Sequence, residues 1–256
     1  MKRRKILIGI TVLIFLMVLV RIISNTQYRE QIPNPSGESQ CAVYYLLNID
    51  GMKGLGHSAL MLTDEQGNGL LYSYNGMQYS LTECLMGKAG IGKMKCFELK
   101  SEEVDDFLLT GNLQVSDASE CDNFDRLLYT YISDEEYNCI KAEADAYISV
   151  GDTFEDLYAK AFHAQGEEKQ AAEEELQKYV TREDVPKYQI YTYNCDTVAR
   201  KTIAIVSEEM KRYNEENVKL IPSANYKNMS KHLGEKFGVL NMGEDSLCEK
   251  LLWYFL

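Results

Sequence analysis

Short runs of mostly apolar residues, the last of them alternating with polar ones, mark the chain from residue 41 to residue 100. The runs are "CAVYYLLNI" from residue 41, "HSALMLT" from 57, "LLYSYN" from 70 and "KMKCFELK" from 93. Between the second and third runs lies "DEQGNG", a cluster of turn-forming residues. The pattern predicts four strands, with residues 57–75 folded as an antiparallel hairpin.

Helical periodicity replaces these short runs from residue 133. Ser133 and Glu136 have the spacing of a capping box, and the residues that follow place an apolar stripe on one face: Tyr137, Ile140, Ala144 and Ile148. A second stripe follows in "DTFEDLYAKAFHA", and "GEEKQAAEEELQKY" is charged nearly all round. The pattern predicts a helical insertion over about 133–180. The acidic run Glu167–Glu175 is typical of a solvated helix face, with a lid over a substrate as the alternative.

A strand-to-helix transition is predicted near residue 194. "YQIYTY" follows Pro186 with the alternation of a strand, and Asn194 is a good N-cap for a helix that starts near Cys195. Apolar residues at helical spacing then continue the stripe: Val198, Thr202, Val206 and Met210. This spacing predicts one helix packed on the sheet, with Cys195 in its first turn.

The first 23 residues have the pattern of a membrane anchor. A basic cluster, "MKRRK", precedes an apolar stretch of about 18 residues, near the lower length limit for crossing a bilayer. No small-residue cleavage site follows, so we predict an uncleaved anchor over 1–23, with a cleaved signal peptide as the alternative. The positive-inside rule keeps the N-terminus cytoplasmic and places the remainder outside the cell membrane.

The remainder divides into a linker and one domain. Residues 24–40 are polar with Pro and Gly, which is typical of a linker, and residues 41–256 are long enough for one extracytoplasmic domain. We predict the α+β class, with an antiparallel sheet packed against helices. The chain carries a net charge of −12; five basic and no acidic residues fall within 1–23, which leaves −17 for the rest. Such a charge excludes nucleic acid as a partner.

Seven cysteines are present, none of them in a C-x-x-C pair, so zinc-ribbon spacing is absent. Outside the membrane some could form disulfides, and the odd number leaves at least one free thiol or an intermolecular bond. Most could equally be buried small hydrophobic residues. No cofactor or metal is implied.

Cys195 and His57 are the candidate catalytic pair. A cysteine in the first turn of a helix lies at the positive end of the helix dipole, which favours thiolate, and the free N–H groups there can hold an oxyanion. A histidine on a neighbouring strand could accept the thiol proton and return it to the leaving group. His163 and His232 have the positions of helix-end residues. Taken alone, Cys195 could be a structural thiol and His57 a polar residue that closes a glycine-rich loop.

"GHSALML", the hairpin ending in "LLYSYNG" and the late "YNCDTVAR" together resemble the circularly permuted papain-like cysteine hydrolases. These include NlpC-type peptidases and lecithin:retinol acyltransferase-like proteins. The chain is most similar to an uncharacterised bacterial membrane-associated family with a Gly-His-Ser/Thr strand and a late Asn-Cys helix start. The resemblance covers roughly residues 41–230. It implies a permuted papain-like fold and cleavage or transfer of amides, thioesters or esters, with cell-wall peptides or lipids as candidate substrates.

The resemblance also implies roles for individual residues. Cys195 matches the nucleophile, His57 the general base, and Asn194 the residue that caps the helix or supports the oxyanion site. The third polar residue of such sites comes from the strand after the histidine strand, where Ser73 and Asn75 are the candidates. That strand has no His, Asp, Glu or Gln, a departure from the commoner family pattern. A non-catalytic binding or scaffold module on the same fold is therefore the alternative to an enzyme.

Overall fold

A mixed α+β domain is visible in the computed structural model, which describes Phe15 and residues 40–51, 56–76, 86–113, 123–233 and 236–242. The strands are β1 (Cys41–Asn48), β2 (His57–Thr63), β3 (Gly69–Gly76), β4 (Gly90–Leu99), β5 (Arg126–Ile132), β6 (Lys187–Tyr188) and β7 (Gly238–Asn241). The helices are α1 (Ser101–Thr110), α2 (Asp134–His163), α3 (Gly166–Val180), α4 (Cys195–Ile203), α5 (Glu208–Glu216) and α6 (Pro222–His232).

All seven strands form one sheet with the order β6-β4-β3-β2-β1-β5-β7, and each neighbouring pair is antiparallel. The predicted α+β class, with an antiparallel sheet packed against helices, is confirmed. The predicted hairpin is also confirmed, because β2 and β3 pair with Ala59 opposite Ser73 and Thr63 opposite Gly69.

Both faces of the sheet are covered by apolar side chains, because side chains along a strand alternate between its faces. On one face, Tyr45 and Leu60 pack with residues of α2, α4, α5 and α6. On the other face, Leu46 and Met61 pack with Val104 and Phe107 of α1. The central strands β1 and β2 are therefore buried from both sides.

Two predictions about the helices need correction. The two apolar stripes predicted after residue 133 belong to a single helix of 30 residues, α2, which passes through Gly151 packed against Lys93. The helix predicted from Cys195 to Met210 is two helices. α4 ends at Ile203, and Ser207 caps α5 by accepting a hydrogen bond from the N–H of Met210 at 3.2 Å.

The strand predicted after Pro186 is shorter than the alternation suggested. β6 contains only Lys187 and Tyr188, which pair with the end of β4. A turn follows, in which the N–H of Tyr193 donates to the carbonyl of Gln189 at 2.9 Å. The turn ends at Asn194, the N-cap of α4.

The predicted anchor, 1–23, and linker, 24–40, lie outside the described residues apart from Phe15 and Gln40. Within the described part of the chain, no helix combines the length and apolar character needed to cross a bilayer.

Replacing Ser133 with alanine is expected to destabilise the domain by about 1 kcal/mol. The predicted capping box is present: Ser133 Oγ accepts from the N–H of Glu136 at 3.2 Å, and Glu136 Oε2 accepts from the N–H of Ser133 at 2.8 Å. Urea unfolding followed by circular dichroism measures the change. Ser149→Ala, at an exposed position in the middle of the same helix, is the control and should change the stability much less, because its hydroxyl only bonds the carbonyl of Asp145. Equal losses in the two variants would contradict the capping role.

Candidate active site

The start of β2 is the point where the sequence-predicted site residues meet. His57 is the first residue of β2 and follows Gly56, whose positive φ of 92° closes the preceding loop. A side chain at position 56 would come within 2.5 Å of Ser223 Oγ, so α6 packs directly against this loop. The glycine thus satisfies both the turn and the close approach of α6.

His57, Ser73 and Asn75 form one hydrogen-bonded group. The Nε2 atom of His57 lies 3.0 Å from Ser73 Oγ, and the side-chain amide of Asn75 donates to the same oxygen at 3.0 Å. His57 and Ser73 are both buried, at 4% and 0% exposure. Ser73 and Asn75 were predicted as alternatives for the third catalytic residue. In the structure Ser73 contacts the imidazole directly, and Asn75 contacts Ser73.

Asn194 and Cys195 form a second group at the start of α4. The side-chain oxygen of Asn194 accepts from the N–H of Thr197 at 3.0 Å, the bond of an N-cap, and its amide donates to the carbonyl of Ile190 at 2.7 Å. The cap predicted from the sequence is thus confirmed. Both atoms of the carboxamide are engaged, which fixes the turn before α4 and with it the position of Cys195.

The sulfur of Cys195 contacts the main chain of β2 at the residue next to His57. Ser58 and Cys195 line the same small space, and the nearby backbone N–H groups of Ser58, Asp196 and Cys195 favour the thiolate. Burial raises the pKa of the thiol to about 12, and these N–H groups offset the burial only in part. Cys195 is 1% exposed, so the resting side chain is a buried, protonated thiol.

The two groups approach the start of β2 from different sides. Because side chains of a strand alternate, Ser58 points to the face covered by α4, whereas the imidazole of His57 meets Ser73 on the other face. The structure therefore brings Cys195 to the backbone beside His57, and it joins the His57 ring to Ser73 and Asn75. The sulfur of Cys195 and the imidazole of His57 therefore lie on opposite faces of the sheet, with the backbone of β2 between them.

A buried polar network surrounds the first turn of α4, and the sequence analysis did not identify it. The Tyr45 hydroxyl donates to Asp196 Oδ1 at 2.6 Å and lies 2.5 Å from Ser58 Oγ. Arg200 donates to Asp196 Oδ2 from Nε at 3.0 Å and from Nη2 at 2.9 Å, and Asn225 donates to the same oxygen at 2.7 Å. The i, i+4 spacing of Asp196 and Arg200 is a signal in the sequence that could have indicated the ion pair.

The remaining candidate residues lie elsewhere. His163 ends α2 and His232 ends α6, as their sequence positions predicted, and both are exposed. Four cysteines in the described part of the chain are free thiols, namely Cys41, Cys96, Cys139 and Cys195. Cys84, Cys121 and Cys248 lie outside the described residues. In the ranges that the structure describes, no group of three or more His, Cys, Asp or Glu side chains could hold a metal ion.

Comparisons of the chain with models of known protein families, with curated proteins and with solved structures give no match.

Proposed function

We propose that this protein is a membrane-anchored, extracytoplasmic cysteine hydrolase or acyltransferase of permuted papain-like fold, acting on amide or ester bonds. The observation that carries the proposal is the position of Cys195 at the start of α4, beside Ser58, the residue that follows His57. The capped start of α4 packs against one face of β2 at this point, and the imidazole linked to Ser73 lies on the other face. Cell-wall peptides and lipids are the candidate substrates.

The proposed roles follow from the hydrogen bonds. In this mechanism Nδ1 of His57 accepts the thiol proton, and in the resting site Nε2 contacts Ser73 Oγ at 3.0 Å. Nδ1 can accept only in the tautomer whose Nε2–H donates to Ser73 Oγ, and Asn75 orients that oxygen. Ser73 and Asn75 thus act together in place of the single polar residue of the commoner pattern.

Catalysis would proceed through a thioester. The Cys195 thiol gives its proton to Nδ1 of His57, and the sulfur attacks the carbonyl carbon of the substrate. First-turn N–H groups of α4 stabilise the resulting oxyanion. The carbon–nitrogen or carbon–oxygen bond then breaks as the imidazolium protonates the leaving group, and water or a second acceptor releases the acyl group from the sulfur.

Two features of the resting site set requirements for this mechanism. The raised pKa of Cys195 means that thiolate forms only by transfer to His57 and is not present beforehand. The imidazole must also move at the end of β2, from the face of Ser73 to the face covered by α4, so that Nδ1 comes within hydrogen-bond reach of the sulfur. His57 occupies the first position of its strand, where only one flanking residue is held by the ladder between β1 and β2.

The burial of Cys195 favours a second candidate, a non-catalytic binding or scaffold module. At 1% exposure, with the side chains of Leu60, Tyr74 and Val198 around it, the thiol has the surroundings of a core residue. In this alternative, Asn194 and Cys195 serve only to start α4, and His57 with Ser73 satisfies polar groups at the end of the sheet.

Iodoacetamide labelling at pH 7 distinguishes the two candidates. If Cys195 is a nucleophile paired with His57, it should react at least about tenfold faster than Cys41, which is equally buried at 2% exposure, and His57→Ala should remove the difference. Exposed Cys139 provides the rate of an unhindered thiol. Peptide mass spectrometry gives all three rates in one sample. Equal, slow labelling of Cys195 and Cys41 would favour the scaffold module.

The substrate class requires a separate experiment. Release of fatty acid from phospholipid vesicles and release of peptides from purified cell wall, each compared with the Cys195→Ala variant, would separate a lipid-directed from a wall-directed enzyme. A linker of 17 residues reaches on the order of 20–25 Å if flexible, so either substrate would be accessible to an anchored domain.

A further inference from the structure

We infer that Asp196 is a positioning residue for Cys195, and that it acts through Tyr45 and Ser58. This inference rests on the proposed function for its catalytic consequence, whereas the structural tie itself is independent of it. Asp196 is 2% exposed and its two carboxylate oxygens accept four hydrogen bonds. A carboxylate has about four acceptor sites, so this side chain is fully satisfied.

The partners of Asp196 come from three different elements. Tyr45 lies on β1, Arg200 on α4 itself and Asn225 on α6. A hydrogen bond to a buried carboxylate is among the stronger ones in proteins, and it is directional. Asp196 therefore fixes the first turn of α4 against the sheet on one side and against α6 on the other.

The bonds of Asp196 return to Cys195 through a closed circuit. The single proton of the Tyr45 hydroxyl is donated to Asp196, so Ser58 Oγ donates to Tyr45. The same Ser58 lies beside Cys195, the covalent neighbour of Asp196, and its N–H favours the thiolate there. Ser58 is thus linked to both consecutive residues of α4 at once.

The circuit decides where the sulfur lies along β2. A shift of α4 by one residue would move the Asp196 carboxylate away from Tyr45 and leave the guanidinium of Arg200 without its buried partner. The sulfur therefore stays at Ser58, next to His57, because the neighbouring carboxylate can be satisfied in one register only. No other described side chain of α4 makes hydrogen bonds to both the sheet and α6.

Tyr45→Phe tests this inference with the least disturbance, because it removes one hydroxyl and keeps the ring. Hydrogen–deuterium exchange of the Ser58 amide and of the first turn of α4 is the readout. Each should exchange about tenfold faster relative to Leu60 and Leu62 of the same strand, the change expected for loss of one charge-assisted hydrogen bond. Ser58→Ala, which opens the circuit at its other link, should show the same local pattern.

Tyr226→Phe is the matched control. Tyr226 is 1% exposed, and its hydroxyl donates to the carbonyl of Leu127 on β5, outside the circuit. Its removal should leave the ratio of Ser58 to Leu60 exchange unchanged. If both variants raise that ratio equally, or if neither does, the positioning role is wrong.

Steady-state kinetics on p-nitrophenyl acyl esters separates this inference from the proposed function. Tyr45→Phe should lower kcat about tenfold with little change in KM, because substrate contacts are retained while the sulfur loses its fixed position. A wild-type protein that is active and a Tyr45→Phe variant that keeps its kcat would overturn the positioning role and leave the proposed function intact. A wild-type protein without Cys195-dependent activity, together with the expected exchange pattern, would overturn the proposed function alone.

Discussion

Replacing His57 with alanine is expected to lower Cys195-dependent acyl transfer by about 10²–10⁴-fold, the contribution typical of a general acid–base residue. The expected loss is large because the thiol pKa of about 12 leaves almost no thiolate at neutral pH without a proton acceptor. The measurement is hydrolysis of p-nitrophenyl acyl esters, with Cys195→Ala setting the background. Acyl-enzyme formation can be followed on the same samples by intact mass.

His163→Ala is the control, because this exposed histidine at the end of α2 lies outside the site. It should retain the wild-type rate. Ser73→Ala and Asn75→Ala should each give a smaller loss than His57→Ala, since they orient the ring and do not accept the proton. Full activity of His57→Ala, with Cys195→Ala inactive, would show that another group activates the thiol.

Replacing Arg200 with methionine is expected to destabilise the domain by about 3–5 kcal/mol. The guanidinium is 3% exposed and donates to Asp196 at 2.9 and 3.0 Å, so its removal leaves a buried carboxylate without its charged partner. Urea unfolding monitored by circular dichroism gives the change in the free energy of unfolding. An unchanged slope of that free energy with urea concentration checks that unfolding is still two-state.

Lys141→Met provides a matched comparison in an exposed ion pair. Lys141 and Asp145 are also four residues apart on a helix, at 2.6 Å, but both side chains are 41% exposed. Solvent screens such a pair, and its removal should cost no more than about 1 kcal/mol. Similar losses for the two variants would mean that the Asp196–Arg200 pair is not held as the structure shows.

The strands of the hairpin region could be predicted because their signals are local. The short apolar runs "HSALMLT" and "LLYSYN" and the turn formers between them suffice for β2 and β3. β5 was not identified, although "RLLYTYI" is rich in strand-forming residues. Its pairing with β1 and β7 joins distant parts of the chain, and the periodicity of a single segment does not indicate such partners.

The boundaries of α4 illustrate a different limit. An apolar stripe from Val198 to Met210 has the spacing of one helix, yet the chain folds as two helices, because Ser207 provides a cap for a second start. Periodicity records which faces are buried, and two helices that pack on the same core can share a stripe. Serine within a helical pattern was the available signal for the break.

Only part of the site could be anticipated. Ser73 was a candidate for the partner of His57 because it lies in the strand after the histidine, and the structure links the two side chains. The Asp196 network could not be found in the same way, because Tyr45 is 151 residues away from Asp196 along the chain. Its assembly depends on the packing of β1, α4 and α6 around one carboxylate.

The order of strands in the sheet has a consequence for how this protein reaches its native state. β1 lies between β2 and β5, and β5 begins 78 positions after β1 ends. At a ribosomal rate of about 5–20 residues per second, the edge of β1 that pairs with β5 stays unpaired for roughly 4–16 s before β5 is synthesised. During this interval the backbone of "CAVYYLLN" presents unpaired donors and acceptors on an apolar strand, a template for association between nascent copies. Holdase chaperones that shield such a strand would therefore be expected to raise the yield of the native domain.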